Sequence, residues 1–122
     1  MQDCLFCKII AGEIPSKKIY EDEQCYAFYD IAPQAPVHFL VIPKTHIKDA
    51  NALNEGNASV VGHIFAVIAK IASELGIAEG GYRVVNNCGE NGQQTVGHLH
   101  FHVFGGRMMS WPPGRFNEDT SY

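Results

Sequence analysis

Several features are scarce in this 122-residue chain, and each scarcity excludes something. No apolar run approaches the roughly 18 residues a membrane helix needs, so a spanning role is not expected. The first residues, Met1-Gln2-Asp3-Cys4, lack a basic segment leading into an apolar one, so no secretory signal is read and a cytoplasmic location is expected. Positive charge is short, with 9 Lys and Arg against 13 Asp and Glu, for a formal net charge of −4. That argues against duplex nucleic acid as the main partner, because phosphate binding favours a basic surface. A small anion held by a few local donors remains compatible. Cysteine is limited to positions 4, 7, 25 and 88. Without an export signal, Cys4-x-x-Cys7 reads as metal-binding or redox rather than as a structural disulfide. Internal repeats and low-complexity segments are absent. No clustered acidic pair looks built for magnesium, so no catalytic metal is expected.

What is present is an ordinary globular composition, 46% hydrophobic, at a length that suits one domain with a real core. Residues 4–11 read as a short helix stopped by Gly12 and Pro15. Residues 18–21 and 24–30 read as strands around an acidic turn. Residues 30–36 hold two prolines and form a loop. Residues 37–42 are apolar and β-prone, and residues 49–56 are loop-like. From Asn57 to Leu75 the apolar residues follow i, i+3, i+4 spacing, and Gly76 is a natural stop. Val60 and Val67 widen that stripe, which points to burial on more than one side and hence to a partner subunit. Residues 81–87 form another strand, residues 88–97 a Gly-rich loop, and residues 98–104 a final strand. The order β-β-β-α-β-β predicts an α+β domain with a mostly antiparallel sheet.

The final strand carries the sharpest signal: His98-Leu99-His100-Phe101-His102. Strand side chains alternate between faces, so half of the six histidines line one face about 6.6 Å apart. Leu99, Phe101 and Val103 take the other. Imidazole serves as nucleophile, proton carrier or zinc ligand near neutral pH. The preceding loop, Gly89 to Gly97, can turn backbone N–H groups toward an anion, and Thr95 adds a hydroxyl. Together they point to an oxyanion beside an imidazole nucleophile. For Cys4 and Cys7, a four-ligand structural zinc site needs two more donors. His46 and His98 can supply them only if the fold brings them together.

These motifs resemble the histidine-triad (HIT) superfamily, and its Hint branch in particular. The resemblance rests on Lys8-Ile9-Ile10 through Ile14-Pro15, Phe28-Tyr29-Asp30-Ile31-Ala32-Pro33-Gln34-Ala35-Pro36 and His38 through Lys44. Gly81-Tyr82-Arg83, Gln93-Gln94-Thr95-Val96, His98 through Arg107 and Trp111-Pro112-Pro113-Gly114 complete it. The W-P-P-G ending favours Hint over the dinucleoside-polyphosphate hydrolase branch, and His102 argues against the uridylyltransferase branch. The resemblance implies a HIT fold over residues 1–114 with a polar tail at 115–122. Its five-stranded, mostly antiparallel sheet carries one main helix and a short N-terminal helix, and continues across a homodimer.

The implied activity is hydrolysis of purine nucleoside 5′-phosphoramidates to a nucleoside monophosphate and an amine. In it His100 is the nucleophile that becomes nucleotidylated, and His102 lies beside the phosphate and the leaving group, with His38 behind them. Asn87, Gln93, Gln94, Thr95 and Val96 surround the phosphate. Asp30 takes the ribose hydroxyls, and Ile9, Ile14, Phe28 and Ile31 sandwich the base. Cys4, Cys7, His46 and His98 fill the positions through which some relatives bind structural zinc. Trp111 would lie near the partner subunit's site. Neither nucleic acid nor membrane is an expected partner. The rival expectations are a dinucleoside polyphosphate or aminoacyl-adenylate hydrolase, and a nucleotide sensor or scaffold with incidental catalysis.

Overall fold

In the computed structural model, residues 3–113 are described. Five strands form one antiparallel sheet: β1 (Lys18–Glu21), β2 (Cys25–Tyr29), β3 (Val37–Pro43), β4 (Tyr82–Val85) and β5 (Phe101–Gly105). Their order is β1-β2-β3-β5-β4, with every neighbouring pair antiparallel. Helix α1 (Leu5–Ile10) precedes the sheet, and α2 (Ser59–Glu74) separates β3 from β4. The expected fold class is the one observed.

The turn between β1 and β2 is set by Asp22, whose Oδ1 accepts the N–H groups of Gln24 and Cys25 at 2.8 and 2.9 Å. Helix α2 buries Ile64, Val67, Ile68, Ile71 and Ala72 against one side of the sheet, where Phe39, Val41, Leu99 and Val103 are fully buried. Each of the larger side chains contributes roughly 1.5–3 kcal/mol through removal from water. The helix ends where Gly76 takes φ +76°, which lets the Ile77 N–H reach the Ala72 carbonyl at 3.0 Å.

Three expectations need correction. The main helix begins at Ser59 rather than Asn57, because Asn57 closes a turn instead: its Oδ1 accepts the Asn54 N–H and its Nδ2–H donates to the Ala52 carbonyl. The 49–56 stretch is not wholly loop, since Ala50–Ala52 forms a 3₁₀ turn capped by Asp49. Val67, read as pointing to a partner, is only 4% exposed and lies in this chain's own core, with Val60 packed beside it. The large apolar residue that α2 leaves open is Phe65, 46% exposed. Gly114 and the tail at 115–122 lie outside the described residues.

Candidate active site

The second side of the sheet carries the histidines. Phe6 and Ile9 from α1, Tyr26 and Phe28 from β2, and Leu40 and Ile42 from β3 form a second buried apolar layer. The Phe6 ring lies edge-on to His100 and His98, with centroids 5.1 and 5.9 Å away. His98, His100 and His38 are at most 4% exposed.

Only His102 lies within β5, opposite Leu40, although 98–104 reads as one strand. The β3–β5 ladder runs only to the Val41–Phe101 pair, so His98 and His100 lie beyond it. The alternation of faces nevertheless persists through individual bonds. The Leu99 N–H donates to the Ile47 carbonyl, and Leu99 remains in the α2 core. Asn86 Nδ2–H holds the His100 carbonyl at 2.9 Å.

These bonds also fix tautomers. His100 Nδ1–H donates to the His98 carbonyl at 2.7 Å, since a carbonyl only accepts. Its Nε2 therefore keeps a lone pair. His38 Nδ1 accepts the Gln34 N–H at 3.1 Å, so its proton sits on Nε2. That Nε2 lies 2.9 Å from His102 Nδ1 and 3.4 Å from Asp30 Oδ2. Donation to His102 Nδ1 leaves the His102 proton on Nε2. Burial lowers the pKa of all four rings His38, His98, His100 and His102. For His102 the neighbouring His100 and His38 add to burial and bring it to about 4, while Asp30 opposes. His98 also falls to about 4, chiefly by burial. His100 falls by burial, against the opposing hydrogen bond to His98 and the charge of Asp30. The row is therefore neutral near pH 7.

Asp30 uses Oδ1 to accept the Ala32 N–H at 2.8 Å and lines a cavity of about 650 Å³ with Ser16, Ile31 and His38. Ile9 and Phe28 are buried beside the triad, and Ile14 packs against them. Ile31 stands fully exposed at the rim of that cavity. In the Gly-rich loop, Gln93 takes φ +62°, and a side chain at Gly92 would meet the Cys88 backbone at 2.6 Å. Gln94 braces this loop: its Oε1 accepts the Gly89 N–H, and its Nε2 donates to the Lys48 and Val96 carbonyls. Its amide is thus occupied within the protein. Gln93 and Thr95 are exposed and line a second cavity of about 520 Å³. Asn87 is half-buried just past β4.

Cys4, Cys7, His46 and His98 meet at the open end of α1. Cys4 Sγ to His98 Nδ1 and Cys7 Sγ to His46 Nδ1 are each 3.3 Å. Cys7 Sγ to His98 Nδ1 is 3.6 Å, and the two Nδ1 atoms are 3.2 Å apart. Ligands of a tetrahedral ion with bonds of 2.0–2.3 Å sit about 3.3–3.8 Å apart, so these four residues could hold a metal. His98 Nε2–H donates to the Pro43 carbonyl at 2.8 Å, which directs the Nδ1 lone pair into the cluster. Burial, and then Cys4, raises the Cys7 thiol above its ordinary pKa.

The HIT domain family profile matches residues 11–109. The chain belongs to the HIT family. An uncharacterized HIT-like protein of Synechococcus elongatus is 49% identical over 113 residues, covering 93% of this chain and 98% of that one. A solved HIT family hydrolase from Legionella pneumophila superposes with a TM-score of 0.90 at 47% identity, covering 92% of this chain and 100% of that chain. A histidine triad protein from Clostridium difficile gives 0.88, also at 47% identity, over 90% and 96% of the two chains.

Within this HIT domain, three contributors went unread in the sequence. Asn86 holds the His100 backbone, Phe6 lies against the triad, and the Gln34 amide sets the His38 tautomer. Asn86 had only its neighbour Asn87 as a signal. A phenylalanine in a short helix carries no mark that separates it from ordinary core, and a backbone amide leaves no signature in side-chain type.

Proposed function

We propose that this HIT protein is a purine nucleoside phosphoramidase of the Hint branch, with residues 1–114 as its domain. The observation that carries the reading is the bond from His100 Nδ1–H to the His98 carbonyl, which leaves an unprotonated Nε2 in a buried, neutral imidazole. Nε2 attacks the α-phosphorus, and the P–N bond breaks. The departing nitrogen, hydrogen-bonded to the Nε2–H of neutral His102, takes its proton from water as the amine leaves. Water then cleaves the nucleotidyl-histidine, releasing a proton to solvent and freeing His100. The names of the solved hydrolases agree with hydrolysis as the reaction type.

Thr95, Gln93 and Asn87, with backbone N–H groups around Val96, receive the phosphate, and Gln94 holds that loop in shape. Asp30 takes the ribose diol. Ile9, Ile14, Phe28 and Ile31 contact the base, and His38 fixes His102. Cys4, Cys7, His46 and His98 would hold zinc, which would supply a structural tie between the N-terminal segment and the sheet. Two thiol ligands suit a reducing cytoplasm, and no helix among the described residues is long and apolar enough to cross a membrane. Open Phe65, Tyr82 on edge strand β4 and Trp111, 82% exposed, suit a homodimer built on α2 and β4, with Trp111 near the partner's site. The test is turnover of adenosine and guanosine 5′-phosphoramidates beside dinucleoside polyphosphates and aminoacyl-adenylates. The phosphoramidates should lead by kcat/KM; a dinucleotide or adenylate in front would overturn the assignment.

A further inference from the structure

We infer that a hydroxyl pair, Ser16 and Tyr26, reads the edge of the purine base. The inference rests on the nucleotide site proposed above and adds a polar determinant to a pocket that was otherwise apolar. In the buried layer beside the triad, the Phe6, Ile9, Phe28, Leu40 and Ile42 side chains offer a base no hydrogen bond. Tyr26 belongs to that layer, is 7% exposed, and has its ring centroid 5.8 Å from that of Phe28. Its hydroxyl is 2.7 Å from Ser16 Oγ. Ser16, half-buried, follows Ile14 by two residues and also lines the 650 Å³ cavity that Asp30 and His38 share. One hydroxyl pair thus joins the apolar layer to the cavity.

The chemistry fits a base edge. Two hydroxyls carry two protons, and their mutual bond uses one. The other proton and the remaining lone pairs are left for a ligand. Either oxygen can be the donor in the mutual bond, so the pair offers a donor to a ring nitrogen or an acceptor to an exocyclic amino group. Apolar side chains receive the faces of a base but leave its edge unpaired, and an unpaired buried polar edge weakens binding. A hydrogen bond of ordinary strength corresponds to about 3- to 10-fold in affinity.

The experiment compares AMP with ribose 5-phosphate, which carries the same sugar and phosphate but no base. Binding is measured calorimetrically on the full chain for wild type, Ser16→Ala, Ser16→Thr and Tyr26→Phe, each checked by thermal melting. Ser16→Ala should weaken AMP about 3- to 10-fold, leave ribose 5-phosphate unchanged, and be rescued by Ser16→Thr. Tyr26→Phe should show the same selective loss. Should Tyr26→Phe fail to fold, the Ser16 variants decide alone. If wild type prefers AMP over ribose 5-phosphate but Ser16→Ala keeps that preference whole, the hydroxyl pair is not the reader. Equal loss for both ligands would reduce the pair to a structural tie. Wild type that binds AMP no better than ribose 5-phosphate would overturn the base pocket itself.

Discussion

On one side of the segment from Leu99 to Val103, the side chains of Leu99, Phe101 and Val103 meet Ile64, Ile68 and Ile71 of α2 in an all-apolar core. On the other side, over the same few residues, His98, His100 and His102 meet Phe6, His38 and Asn86. Both sides are largely buried, yet they are held differently. The helix side needs volume and apolarity, which many residue combinations supply. The histidine side needs a specific partner for each buried ring nitrogen, because an unpaired polar atom there is costly, while His100 Nε2 keeps its lone pair for substrate. Among the described residues no buried side-chain nitrogen or oxygen lacks a partner. One side therefore sets stability, and the other sets tautomer and reactivity.

Substitutions should separate the two. His100→Asn should lower turnover by a factor of about 10³ or more, because the nucleophile is lost, while AMP binding survives. A variant that keeps a tenth of the wild-type rate would break the assignment. Ile68→Ala on the opposite side should cost about 2–5 kcal/mol in denaturant unfolding, with activity per folded molecule retained. If Ile68→Ala instead abolished activity in fully folded protein, the two sides would not be independent.

The contrast also explains what could be read in advance. Period-two and period-3.6 spacing revealed the strands and α2, because burial against a sheet leaves a regular trace in residue type. The Cys4, Cys7, His46 and His98 grouping and the histidine row followed from motif and alternation. What escaped was decided by single bonds. Asn57 leaves the helix because its amide closes a turn, and the β3–β5 ladder ends at Val41–Phe101, just short of His100, as the Leu99 N–H turns to the Ile47 carbonyl. Gln94 looks like a ligand donor in sequence but is consumed by the Gly89, Lys48 and Val96 backbone. Val67 looked like interface and is core, because a wide apolar stripe does not say which surface covers it.

The Cys4, Cys7, His46 and His98 cluster lies where the histidine side meets α1, and it gives a third, smaller effect. Untagged protein should contain about one zinc per chain, and Cys4→Ser or Cys7→Ser should remove it and lower the melting temperature. Chelated protein that stays folded should keep most of its activity. Metal analysis finding no zinc in wild type would contradict this. The smallest effect concerns pH. Burial holds His100 below the ordinary imidazole value of about 6.5, and protonation would remove the Nε2 lone pair. The kcat/KM profile should therefore be flat above pH 6.5 and fall only below it. An acid limb centred at pH 7 or above would mean that burial does not govern this imidazole.

The most direct test of the central claim is intact-mass analysis of wild-type protein quenched during turnover of adenosine 5′-phosphoramidate, with peptide mapping of the product. The account predicts a fraction of chains heavier by one adenylyl group, acid-labile and located on His100, and none in His100→Asn. Turnover with no adduct at any quench time, or an adduct on another residue, would contradict it.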